Sequence, residues 1–132
     1  MTPNARLRIA ITDKNPHVRE FLCRELTDLG HWASTLANAG EVLRCLEGEA
    51  PPQVLVLDPE AAGTRLSEVA ARLEGLAGKV AVVLHVFPDA EPQTGFSEAL
   101  VVEKQPHMGA LKTALAALAA GGKGWLDKGE EA

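Results

Sequence analysis

Cysteine is scarce in this chain, with only Cys23 and Cys45 among 132 residues. Both fall within helical patterns, which argues against a disulfide framework and for reduced thiols at or near a core, in a cytoplasmic protein. Basic charge is not in excess. Thirteen Lys and Arg against eighteen Asp and Glu give a net charge of -5, with no basic cluster, so nucleic-acid binding by this domain is not expected. No apolar run approaches the ~20 residues that span a bilayer, so no membrane association is expected. Met1 to Arg8 lead straight into a strand and carry no signal-peptide core. The histidines (His17, His31, His85, His107) lack metal-ligand spacing, which argues against zinc. There is no internal repeat and no low-complexity segment. What remains is one domain: the length suits one and is too short for two, and 46% hydrophobic residues supply a core.

The strongest positive signal is Val54-Leu55-Val56-Leu57-Asp58, fenced by Pro51-Pro52 before and Pro59 after. A short unbroken apolar run of this kind reads as a strand buried on both faces, the kind found in parallel sheets between helices. The stretch Leu7 to Asp13 is a second such strand, again ending on an acid. Asn15-Pro16 then supplies an N-cap and a first-turn proline. Val18, Phe21, Leu22, Leu26 and Leu29 mark a helix that Gly30 stops. His31 to Ala37 reads as a weak strand, and Val42, Leu43 and Leu46 mark a second helix.

Beyond Asp58, Pro59 to Gly63 reads as a loop. Leu66, Val69, Ala70, Leu73 and Leu76 define a third helix, and Val80 to Leu84 a strand ending at His85. Phe87 to Gly95 reads as loop, with a helical turn near Phe96 to Glu98. Ala99 to Val102 is the fifth strand. Met108, Leu111, Leu115 and Leu118 mark the last helix, closed by Gly121-Gly122. Gly121-Gly122-Lys123-Gly124 follows a helix instead of opening one, so it reads as a C-cap and not a phosphate loop. The expected domain is 1–121, and 122–132 is a charged tail in which Trp125 and Leu126 are the docking candidates.

Five β-α repeats imply an α/β fold: a doubly wound five-stranded parallel sheet in three α/β/α layers, with right-handed crossovers. In such sheets ligands bind outside the carboxyl ends of the strands. Asp13, Asp58 and His85 stand at strand ends, and Lys104 opens the loop after strand five. Two acids and a lysine in one pocket can hold a divalent cation and a phosphoryl group.

These stretches carry a resemblance. Ile9-Ala10-Ile11-Thr12-Asp13-Lys14-Asn15-Pro16, Val54 to Asp58, Gly63, and Lys104 with Pro106 are together similar to the receiver domain of bacterial two-component response regulators, over roughly residues 7 to 120. The resemblance implies a flavodoxin-like (βα)5 fold. It makes Asp58 the phosphoacceptor position, Asp13 a metal-site acid and Lys104 the family's lysine. The implied metal is Mg²⁺, held by Asp13 and Asp58. The implied partner is a histidine kinase or a downstream signalling protein, with homodimerisation through the last strand and helix, where Ala110, Ala114 and Ala117 form an outer face.

The departures are equally specific. Lys14 stands where the family has a second acid, and His85 where it has threonine or serine. Val101 stands where an aromatic switch residue is usual. Gln105 separates Lys104 from Pro106, and a one-residue shift would put Glu103 in the lysine slot. The segment between His85 and Lys104 is short, with little room for a fourth crossover helix. Asp13, Lys14, Asp58 and Lys104 together sum to zero charge, whereas Mg²⁺ needs an excess of oxygen ligands. A Lys14–Asp58 contact in place of the metal is the expectation, alongside a surface role for Lys14. The sequence thus points to a degenerate, non-enzymatic receiver acting through protein contacts, alone or as a fragment of a longer regulator. The alternatives are a phosphorylation-competent receiver and, from another class, a small-molecule binder or enzyme. The last lacks a glycine-rich loop after strand one and any nucleophile–base pair.

Overall fold

The strands are short, and among the described residues all but the fourth are followed by a helix, where the sequence reading expected five β-α repeats. The computed structural model describes residues 6–91, 95–96 and 98–120. Among them, β1 (Arg8–Thr12), α1 (Pro16–Asp28), β2 (Trp32–Leu36), α2 (Ala39–Glu47) and β3 (Val54–Leu57) follow in order. After β3 come α3 (Pro59–Ala62), a 3-10 turn (Gly63–Arg65) and α4 (Leu66–Glu74). β4 (Ala81–Val86), β5 (Leu100–Glu103) and α5 (Gly109–Ala119) complete the fold. The five strands form one sheet in the order β2-β1-β3-β4-β5, and every pairing is parallel. This is the α/β doubly wound architecture expected from the sequence.

The sheet has two packed faces because side chains alternate along a strand. Ile9, Ile11, Val54, Val56, Ala81, Val83 and Val102 face one core, closed by Leu22 and Leu26 of α1 and Leu111, Leu115 and Leu118 of α5. Ala10, Leu55, Leu57 and Leu84 face the other, closed by Val42, Leu43 and Leu46 of α2 and Val69 and Leu73 of α4. All four residues of β3 are fully buried, as the uninterrupted Val54 to Leu57 run requires. α1 stops where Gly30 takes φ +100°, and the His31 amide then donates to the Leu26 carbonyl at 3.1 Å. That is a left-handed glycine closing a helix, as the sequence implied.

Three boundaries differ from the sequence reading. Pro59 to Ala62 is a helical turn and not a loop, because the Asp58 side chain caps it by accepting from the Glu60 amide at 3.0 Å. β4 runs on through His85 to Val86, and β5 is displaced one residue, to Leu100–Glu103. The turn expected near Phe96 to Glu98 is present, the Ala99 amide donating to the Phe96 carbonyl at 3.1 Å, and Phe96 is buried beside Leu73 and Val80. Helix α5 ends at Ala119. The glycines at 121 and 122, the 122–132 tail and the Trp125–Leu126 pair lie outside the described residues.

Candidate functional site

The two-residue period of the strands brings the site together. Asp13 continues the Ile9–Ile11 row, Asp58 the Val54–Val56 row, His85 the Ala81–Val83 row, and Lys104 lies two residues beyond Val102. All four therefore project at the carboxyl ends of neighbouring strands on the α1/α5 side. Ile11 pairs with Val56, Val56 with Val83, and His85 with Val102, so the rows stand side by side.

Lys104 Nζ lies 3.1 Å from Asp13 Oδ2 and 3.2 Å from Asp58 Oδ2. Both carboxylates are almost wholly buried, and the lysine side chain is 14% exposed. Asp13 Oδ2 has no other partner, so the ammonium is what compensates its burial. Backbone amides add to this: Asn15 N–H donates to Asp13 Oδ1 at 2.9 Å, Lys14 N–H to Asp58 Oδ2, which Lys104 also contacts, at 2.9 Å, and Glu60 N–H to Asp58 Oδ1. Asn15 in turn caps α1, its Oδ1 accepting from the His17 amide at 2.8 Å. Arg19 donates from α1 to the Asp13 carbonyl at 2.8 Å. The loop after β1 is thus tied both to Asp58 and to α1.

Two sequence expectations are corrected here. The cation beside Asp58 is Lys104 and not Lys14, whose residue is exposed and which reaches Asp58 through its main-chain amide. The buried charge set is then two carboxylates and one ammonium, an excess of one negative charge and not the balanced set expected with Lys14 inside. Glu103 is exposed, and Lys104 fills the position between the two acids. The reason is parity: Val102 is a core residue, and the next side chain on that face belongs to Lys104.

Sequence reading passed over Thr12 and Phe87. Thr12 is fully buried. Its hydroxyl accepts from the Asp58 amide at 2.8 Å and donates to the Val56 carbonyl at 3.2 Å, extending the β1–β3 pairing by one step where the ladder stops. It thereby sets where the Asp58 carboxylate stands. A hydroxyl-bearing β-branched residue directly before a strand-end acid was the available signal. Thr12→Val strands a buried N–H and a buried C=O, at a cost of about 1–3 kcal/mol; chemical denaturation of the variant measures it. Phe87 is 53% exposed, and its ring centroid lies 4.6 Å from Lys104 Nζ, a cation–π distance.

His85 is 6% exposed, and its Nδ1 has no partner. Burial lowers its pKa first and the Lys104 charge lowers it further, against a smaller raising effect of Asp13 and Asp58. His31, whose Nδ1 accepts the Leu7 amide at 3.1 Å, is lowered too, by burial and then by Arg6. Both histidines are therefore favoured neutral in the fold. A depressed folded pKa gives stability that is present above the unfolded value of about 6.5 and lost as pH falls through the folded one. Unfolding free energy is thus expected to decline from pH 7 toward pH 5. Denaturant titrations at a series of pH values should show a shallower decline for His85→Leu than for the parent chain.

Among the described residues, no group of three or more His, Cys, Asp or Glu is placed to hold a metal ion. The donor set explains this. Two carboxylates face the site, both engaged by Lys104 and by amides, and the neighbouring side chain at position 14 is cationic. Mg²⁺ demands near-octahedral oxygen ligation, and the residues present do not fit it. No helix among the described residues is long and apolar enough to cross a membrane.

No protein-family model matches the chain, and no curated protein matches it significantly. Solved structures do. The response regulator TrrA of Thermotoga maritima in complex with Mg²⁺-BeF is similar at 25% identity and a TM-score of 0.73, covering 84% of this chain and 97% of that one. A complex of histidine kinase ThkA with TrrA gives a match at 25% identity, a TM-score of 0.72 and the same coverage. A CheY-like receiver domain protein from Methanospirillum hungatei matches in fold, at 19% identity and a TM-score of 0.71, over 85% of this chain and 93% of that one.

Proposed function

We propose that this chain, whose fold is that of the response regulator receiver domains, is a signalling module that works by protein–protein contact, with Asp58 held by Lys104 and not loaded with phosphate. The observation that carries the reading is the Lys104 bridge at 3.1 and 3.2 Å between two carboxylates, Asp13 and Asp58. A receiver that takes a phosphoryl group on aspartate needs a divalent cation to offset the added charge. Here the neighbouring position is Lys14, and His85, with its neutral form favoured, stands at the end of β4. On this reading the domain is not an enzyme and needs no cofactor. Its surface is read in one state by a protein partner. The kinase-bound and Mg²⁺-BeF-bound relatives support a signalling partner, and they also keep open the second reading, a phosphorylation-competent receiver.

The test is an amide NMR titration with Mg²⁺, then with Mg²⁺ plus beryllofluoride, a mimic of aspartyl phosphate. No site shifts at millimolar Mg²⁺ are expected. Saturable shifts at Asp13 and Asp58 that spread to β5, and that vanish in Asp58→Ala, would establish the second reading.

A further inference from the structure

A cavity of about 530 Å³ opens between the first turns of α1 and the loop that leads from β5 into α5. That size is ordinary for a small-molecule site. Phe21 and Leu22 of α1, Phe87 after β4, and Met108 and Leu111 at the start of α5 give it apolar walls. Asp13, His85 and Lys104 line it from the strand ends, and Glu103 from β5. It is distinct from the opening directly over the acids, whose walls include Lys14, Asp58 and Glu60. Two features of the cavity are left over by the packing. His85 is buried, yet its Nδ1 has no hydrogen-bond partner among the described residues, and buried polar atoms ordinarily have one. Phe21 and Phe87 stay 42% and 53% exposed although both border an apolar hollow. The charge is one-sided as well. Lys104 is already shared between Asp13 and Asp58, so Glu103 adds to a negative excess, which favours a cation over an anion.

From this we infer that the cavity between α1 and the β5–α5 loop binds a small aromatic amine in its protonated form, with its ring against Phe21 and Phe87 and its ammonium toward Asp13, Glu103 and His85. Aromatic walls suit a flat apolar body, and their faces attract a cation. The ammonium supplies the N–H donors that the Nδ1 of His85 lacks. The Phe87 ring also faces Lys104 Nζ at 4.6 Å, so an occupant stacked on it lies beside the group that holds Asp58. The ligand is then an input to a module that does not take phosphate. In that respect the inference rests on the reading above, whereas the cavity itself does not depend on it.

The probe is tryptamine, titrated into the full ¹⁵N-labelled chain and compared with two indoles of similar shape, neutral 3-ethylindole and anionic indole-3-propionate. Saturable shifts at Phe21, His85, Lys104 and Met108 are expected with tryptamine. 3-Ethylindole should bind at least ~10-fold more weakly, since the cation's attraction to the acids and ring faces is lost, and indole-3-propionate should not bind. Phe21→Ala removes an exposed wall and should weaken tryptamine binding at least ~10-fold, with the amide spectrum showing that the fold persists. Glu103→Gln keeps the shape, removes one charge and should narrow the preference for tryptamine over 3-ethylindole. Absence of saturable shifts at millimolar tryptamine, equal binding of the three indoles, unchanged binding by Phe21→Ala, or shifts centred outside the cavity would overturn the inference. The beryllofluoride titration reports on Asp58 independently, so either result can fail alone.

Discussion

Lys104→Ala should lower the unfolding free energy by about 3–5 kcal/mol, the usual cost of removing one partner from a buried charge cluster. Among the described residues the lysine is the sole cation in contact with Asp13 Oδ2 and Asp58 Oδ2. Removing it leaves two carboxylates close together and poorly hydrated, and backbone amides offset only part of that. The loss should be far smaller when the acids go as well. Asp13→Asn with Asp58→Asn in the Lys104→Ala background should recover much of the stability, because replacing a whole buried cluster is often near neutral. The triple variant, the two-asparagine variant and Lys104→Ala form a cycle that isolates the coupling. Denaturant unfolding of the four proteins reads it. If Lys104→Ala costs less than ~1 kcal/mol, the ammonium is a surface charge, and the proposed lock on Asp58 falls with it.

The fold was largely legible because its signals are local. Unbroken runs such as Val54 to Leu57 and Val80 to Leu84 announce buried parallel strands, and Asn15-Pro16 and Gly30 mark the limits of α1 by their own backbone chemistry. The site was legible in its residues but not in its pairings. Asp13, Asp58 and Lys104 could be picked from strand ends, since the topology must gather them. Which lysine reaches the acids could not, because Lys14 and Lys104 differ in strand parity and not in residue type. Parity depends on the register of β5, and that strand proved to be displaced by one residue. The pairing role of Thr12 was missed for a related reason. Its hydroxyl matters only because β1 and β3 stop pairing one step earlier. The turn at Pro59 depended on Asp58 acting as a cap as well as a site residue.

Lys14→Asp combined with His85→Thr should convert the site into one that binds Mg²⁺ about 100-fold more tightly. Exchanging a positive for a negative charge at ~6 Å from a divalent ion changes the interaction by about 2.8 kcal/mol even at the dielectric constant of water, and that energy is a factor of about 100. Asp13 and Asp58 are already fixed by Asn15 N–H, Lys14 N–H and Glu60 N–H, so a third carboxylate on the same loop completes a set of oxygen donors. The main-chain amide at position 14 is unchanged by the substitution, and Asp58 keeps its anchor. Threonine at position 85 removes the buried imidazole, whose Nδ1 has no partner, and places a hydroxyl at the end of β4. The double variant should then answer beryllofluoride with shifts at Asp58, whereas none are expected from the parent chain. Isothermal titration with Mg²⁺ gives the affinity ratio, and NMR with Mg²⁺ and beryllofluoride gives the gain of response. A double variant as inert as the parent would place the barrier elsewhere than the missing acid. The most direct candidate would then be Lys104 itself, too firmly held by the two carboxylates to yield to a metal.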